Sequence, residues 1–168
     1  MNDTARRHMV MQETPIGALI LVAECDSLTG IYWKETARVE PIHGVATAHD
    51  AVLDRTRDQL NEYFAGERQV FDLPLRPNGT EFQQKVWAAL LQIPYGETWS
   101  YQQLAQFVDS PRGSRAVGLA NGRNPIPVVI PCHRVVGSDG SLTGYGGGMQ
   151  RKRTLLTLEA AAAGLALF

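Results

Sequence analysis

The sequence predicts an α+β protein made of two small domains. Three observations predict it. Residues 9–33 are short apolar runs separated by turn residues, the pattern of sheet. From Thr80 onward the apolar residues fall three and four apart, the spacing of helices. Between these regions Arg76-Pro77-Asn78-Gly79 interrupts every pattern, which places domains over 1–76 and 77–168.

Residues 1–8 are polar and read as a loose leader. Strands are expected over 9–12 and 16–23, joined by the turn Thr14-Pro15-Ile16-Gly17, with a third over 28–33 after Asp26-Ser27. Residues 34–48 carry Pro41 and Gly44 and no periodicity, so a loop is expected. Over 49–65 the spacing becomes helical. Leu53, Thr56, Leu60 and Phe64 share a face, and Gly66 supplies the stop. Residues 70–75 form a further expected strand.

In the second domain Thr80 and Gln83 make a capping box, and Phe82, Val86, Ala89, Leu90 and Ile93 line the apolar face behind it. Pro94-Tyr95-Gly96-Glu97 ends that helix. Ser100 and Gln103 make a second box, opening a helix to about Val108 with Leu104, Ala105 and Val108 inward. Ser110-Pro111 offers an N-cap and a first-turn proline for a helix to about Ala120, closed by Asn121-Gly122. Two short helices joined by a tight turn outline a helix-turn-helix. By itself this outline fits a DNA-recognition element, but fits an ordinary packing pair more often, since many short-helix pairs bind nothing. An apolar strand over 128–130 then leads through Pro131 to Cys132. Residues 135–141 read as a hairpin, Gly144-Tyr145-Gly146-Gly147-Gly148 as a close-approach loop, and 150–163 as a last helix.

The composition excludes several classes. With 168 residues and 44% hydrophobic content the chain can fill one core or two small ones. Charged residues make up 20%, without long like-charge runs, which argues against disorder. The longest apolar stretch, 16–23, is too short to span a bilayer, and Met1 to His8 lacks the apolar part of a secretory signal. Two cysteines make no disulfide framework, so a reduced, cytoplasmic setting is expected. The net charge of −1 hides an asymmetry. Residues 1–80 hold 8 Lys+Arg against 12 Asp+Glu, and residues 81–168 hold 8 against 5. The basic excess lies in the half that contains the helix-turn-helix outline.

Cys132 follows a proline and precedes His133 and Arg134. Nearby cations or a paired histidine would lower its pKa and make it a nucleophile. A buried structural thiol fits the same residues. Cys25 has no partner in sequence and reads as structural. Cys25, Cys132, His8, His43, His49 and His133 show no metal-binding spacing, so no catalytic metal and no cofactor are expected; a structural metal in the first domain stays open. The local signatures of papain-like and caspase-like cysteine hydrolases are missing.

Pro131-Cys132-His133-Arg134-Val135, with Asn124-Pro125 before it and Gly144-Tyr145-Gly146-Gly147 after it, resembles the O6-alkylguanine-DNA alkyltransferases, or methylated-DNA–protein-cysteine methyltransferases. Phe82-Gln83-Gln84-Lys85-Val86-Trp87, Ile93-Pro94-Tyr95-Gly96-Glu97-Thr98, Ser100-Tyr101-Gln102-Gln103-Leu104-Ala105 and Arg115-Ala116-Val117-Gly118 are similar to further family segments. The likeness is continuous over about 78–160. In the first half it is carried by Thr14-Pro15-Ile16-Gly17 and Tyr63-Phe64-Ala65-Gly66.

The resemblance implies a ribonuclease-H-like first domain and a winged-helix second domain. It also implies single-turnover transfer of an alkyl group from O6-alkylguanine, and from O4-alkylthymine, to Cys132 after the base is flipped out of duplex DNA. Glu159 and His133 would activate Cys132 through a water, and Tyr101 would protonate the leaving base. Asn124 would brace the turn beneath the cysteine. Val135, Tyr145, Gly146 and Asn121 would form the pocket, with the carbonyls of Cys132 and Val135 accepting from the guanine amino group. Arg115 would enter the duplex, and Ser114 and Gly118 would let the helix approach the minor groove. The implied partner is double-stranded DNA with alkylated bases, with no membrane, and the protein is expected to be a monomer in solution; cooperativity on DNA stays open. Alkyltransferase-like binding proteins lack the cysteine of this motif, and here it is present.

Overall fold

The computed structural model describes residues 5–36 and 44–164. Residues 1–4 of the expected leader, and Pro41 and His43 of the expected loop, lie outside them. The chain divides into two compact units, Met1–Asn78 and Gly79–Phe168. No helix of the described residues is long and apolar enough to cross a membrane.

In the first unit β1 (Arg7–Met11), β2 (Leu19–Glu24) and β3 (Ser27–Trp33) form an antiparallel meander, and β4 (Val45–Ala46) adds to β1 in parallel. The sheet order is β3-β2-β1-β4. Two expectations change here. Arg7 and His8 belong to a strand, because each pairs with β2 on one side and β4 on the other. The stretch read as loop contains β4. Gly17 takes φ +93 at the turn and donates to the Thr14 carbonyl at 3.0 Å, a conformation that suits glycine.

Helix α1 (Ala51–Phe64) covers this sheet. Asp50 caps it, accepting from the amides of Val52 and Leu53 at 3.0 Å each, and Gly66 at φ +77 ends it. Leu53, Thr56 and Leu60 are buried, but the aromatic that completes the face is Tyr63, not Phe64. The chain after the helix folds back so that Phe71 meets the Tyr63 ring at 5.4 Å. Residues 70–75 form no strand. Pro74 lacks a donor, and the Gln59 side chain satisfies both backbone groups of Asp72 at 2.9 and 3.0 Å, leaving only a Leu28–Leu75 bridge.

The second unit is built on α2 (Glu81–Leu90), α3 (Tyr101–Phe107) and α4 (Ser114–Gly122). Both capping boxes are formed, at Thr80 with Gln83 and at Ser100 with Gln103. Phe82 stays at the exposed edge of α2, and Trp87 takes the inward place, donating to the Ala120 carbonyl at 2.9 Å. Leu104, Ala105 and Val108 are buried. Helix α4 starts at Ser114 and not at Ser110-Pro111. The Ser110 amide is spent on the Ala105 carbonyl at 2.8 Å, and the Gly113 amide returns to the Ser110 carbonyl at 2.7 Å, so 110–113 is a turn. Helix α4 continues through Gly122, which makes Asn121 helical.

The expected strand over 128–130 is a turn with Val128 at φ +73; three prolines, at 125, 127 and 131, remove donors around it. Residues 135–141 form no hairpin. Instead β6 (Val135–Val136) pairs in parallel with β5 (Trp99–Ser100), and 137–141 only turn. Helix α5 (Met149–Ala162) closes the unit. The expected α+β class is borne out, with a sheet-and-helix unit followed by a helix-turn-helix unit.

Candidate active site

Cys132 opens a single 3-10 turn, Cys132–Arg134, whose three side chains are all buried. The segment before it cannot move freely. The Asn124 amide donates to the Ile130 carbonyl at 2.8 Å, and its oxygen accepts from the Ile126 amide at 3.0 Å. The Cys132 amide donates to the Ile130 carbonyl at 2.8 Å. A valine at φ +73 is strained by about 1–3 kcal/mol, and these bonds help to hold it there.

Behind the turn stands α5. Its buried positions Lys152, Leu155, Leu156, Glu159 and Ala160 follow the spacing 0, 3, 4, 7, 8, so a lysine and a glutamate share the apolar face. Glu159 is 1% exposed and has two basic partners. His133 Nε2 lies 2.7 Å from its Oε2, and Arg134 Nε donates to its Oε1 at 2.6 Å, with a further Arg134–Glu159 contact through Nη2. Arg134 also donates to the Ile93 carbonyl at 2.8 Å and lies over the Tyr95 ring. Its charge is thus committed to Glu159, not to the thiol.

These partners set the protonation states. Burial alone would raise the Glu159 pKa, but the hydrogen bonds from His133 and Arg134 and the Arg134 charge outweigh it and hold the carboxyl below its usual value. Burial lowers the His133 pKa, which leaves the imidazole neutral. A carboxylate can only accept, so Nε2 carries the ring proton and Nδ1 is the acceptor. That Nδ1 is buried without a hydrogen-bond partner among the described residues. Burial pushes the Cys132 thiol up to about 11, against lowering by the Asn124 side chain and the Lys152 charge. The sequence allows a thiolate favoured by neighbouring cations or a paired histidine, and equally a buried thiol. In the folded chain desolvation wins, and the resting group is a thiol beside a neutral base.

Lys152 is the residue that the sequence reading missed. Its ammonium donates to the Val135 carbonyl at 2.5 Å and to the Thr143 carbonyl at 2.9 Å, which ties β6 to the glycine-rich segment. Desolvation lowers its pKa to about 8. Arg151-Lys152-Arg153 reads as a solvated basic run. The signal that could have found it is its place three residues before Leu155, on the apolar face.

The remaining predicted residues lie on α3, α4 and the glycine segment, and of these Tyr101 and Asn121 approach Cys132. Tyr101 donates to the Thr143 carbonyl at 2.8 Å, and burial raises its pKa. A Cβ placed on Gly118 would be 3.6 Å from the Tyr101 ring, and one on Gly146 would be 3.6 Å from the Gly122 carbonyl oxygen. Asn121 donates to the Cys132 carbonyl at 3.3 Å. Tyr145 is half-buried, and Gly146 is exposed on the loop. Arg115 is exposed in the first turn of α4, next to half-buried Ser114. The structure thus joins Cys132, His133, Glu159, Asn121, Asn124 and Tyr101 in one region of the second unit. Arg115 stands apart on its surface. Among the described residues no cluster of His, Cys, Asp and Glu could hold a metal ion.

Comparison with known proteins agrees in kind. Residues 81–161 match the family described as 6-O-methylguanine DNA methyltransferase, DNA binding domain, and residues 8–77 match its ribonuclease-like domain. A methylated-DNA–protein-cysteine methyltransferase of Mycobacterium tuberculosis is 51% identical over 147 residues, 88% of each chain. The crystal structure of an O6-methylguanine methyltransferase of Mycobacterium tuberculosis superposes with a TM-score of 0.86 at 46% identity, covering 94% of both chains. A structure of Mycobacterium tuberculosis OGT in complex with DNA gives a TM-score of 0.84 at 48% identity, covering 93% of this chain and 94% of that one.

Proposed function

The chain belongs to the methylated-DNA–protein-cysteine methyltransferase family, and on that premise we propose that it repairs DNA by moving an alkyl group from O6-alkylguanine onto Cys132. The observation that carries this reading is the buried thiol next to a neutral histidine that a buried carboxylate holds in one tautomer. Such a histidine accepts a proton on demand.

The lesion is flipped out of the duplex, since its alkyl oxygen is out of reach within the stack. The basic half of the chain faces the phosphates, and Arg115 takes the place of the extruded base. The thiol proton passes through a water to His133 Nδ1, and the imidazolium is stabilised by Glu159. The sulfur lone pair forms the S–C bond while the C–O6 pair returns to the guanine ring. Tyr101 turns from the Thr143 carbonyl and gives its proton to the departing base. Burial keeps that proton on Tyr101 at neutral pH. Asn124 holds the cysteine turn in place, and Tyr145 and the Gly146 amide border the base.

The thioether product offers water no good leaving group, so each chain acts once. O4-alkylthymine is a second substrate of the same chemistry. The chain works as a monomer in a reduced, cytoplasmic compartment, where Cys132 stays a thiol.

Intact mass measured after mixing with a duplex carrying one O6-methylguanine tests the reading. One methyl added to the Cys132 peptide, without turnover, is expected, and Cys132→Ser should gain none. Repeated turnover, or lesion binding without any mass change, would overturn it.

A further inference from the structure

Among the described residues, the buried side-chain oxygen of Asn121 has no hydrogen-bond partner. The residue is 2% exposed. The Cys132 carbonyl can only accept, so it fixes which end of the amide faces it, and Nδ2 donates there at 3.3 Å. This leaves Oδ1 buried with no hydrogen-bond partner among the described residues. An orphaned buried acceptor is costly, and its place beside the nucleophile's own carbonyl calls for a donor from a ligand.

The two carbonyl acceptors of the site each already hold one donor. The resemblance assigns the guanine amino group to the carbonyls of Cys132 and Val135. In the fold the first already accepts from Asn121, and the second accepts from Lys152 at 2.5 Å. The carbonyl of Gly122, next to Asn121 in sequence, lies 3.6 Å from a Cβ placed on Gly146, so the Asn121 end of α4 adjoins the glycine loop.

We propose that Asn121 Oδ1 accepts a hydrogen bond from the 2-amino group of the flipped guanine and so selects guanine lesions over thymine lesions. Thymine presents a carbonyl on the corresponding edge, which Oδ1 repels. The proposal rests on the reading that an alkylguanine enters this site.

The test compares methyl transfer to Cys132 from duplexes carrying O6-methylguanine, O6-methylhypoxanthine, which lacks the 2-amino group, and O4-methylthymine. The native chain should favour O6-methylguanine over O6-methylhypoxanthine about tenfold, the worth of one buried hydrogen bond. Asn121→Met, checked by melting to be folded, should bring that ratio to about one and narrow the gap to O4-methylthymine. Equal rates on the two purines with the native chain overturn this proposal alone, and need no variant. So does an Asn121→Met chain that keeps the preference. A native chain that takes methyl from none of the three overturns both this proposal and the reading beneath it.

Discussion

The two units handle charge in opposite ways. In the first, ion pairs lie at or near the surface. Arg55–Asp72, Arg57–Asp58 and Arg68–Glu62 all join partly or largely exposed side chains. In the second, the ion pairs of the described residues are buried: His133, Arg134 and Glu159 share one carboxylate, and Lys152 is sunk against two carbonyls. Exposed pairs contribute little each and tolerate loss. Buried ones stabilise only while every partner is present. Retaining them in the core of the second unit marks where the fold serves chemistry ahead of stability.

Removing one buried partner tests the contrast most severely. Glu159→Gln should cost about 3–5 kcal/mol by denaturant unfolding, since it leaves Arg134 buried without its counterion. It should also slow methyl transfer, because His133 loses the group that steadies its charged form. The pH dependence has a definite sign. The Glu159 carboxyl is held below its ordinary value, so its contribution is present above the usual carboxylate range and is lost as pH falls through the lower folded value. In Glu159→Gln that part of the acid sensitivity should vanish. A variant as stable and as acid-sensitive as the native chain would erase the distinction between the units.

A middle-sized effect is expected from the reaction. A methyl added to a sulfur that is already buried overpacks its surroundings by about 1–3 kcal/mol, so the methylated chain should melt below the unreacted one. Equal or higher melting would mean that the turn has room to spare. The smallest effect belongs to the first unit. Arg55→Ala should change stability by less than about 1 kcal/mol, and less still in high salt.

Local features of both units were legible in the sequence. Both capping boxes follow from residues three apart, and Gly66 ends α1 where a left-handed residue is needed. The helix-turn-helix outline was visible, but the start of α4 was not, because Ser110 spends its amide on closing α3. Val128-Val129-Ile130 suggests a strand by composition, whereas the flanking prolines turn it. Phe82 and Trp87 exchange places because the indole finds the Ala120 carbonyl, a tertiary contact that no window of α2 contains. At the site, the residues named from the cysteine motif were found close together. Lys152 was hidden by its charged neighbours, and the raised pKa of Cys132 follows from a burial that sequence does not display.

Val128 carries one last consequence. Its side chain is wholly buried while its backbone is in a region that branched residues avoid. The two demands cannot be met by one substitution. Glycine would ease the backbone and empty the core; isoleucine or leucine would fill the core and keep the strain. Position 128 is therefore constrained by core and backbone at once, although it does no chemistry. A chain built for stability alone would have no reason to keep a branched residue there, so the strain at Val128 is a cost carried by the turn that presents the cysteine.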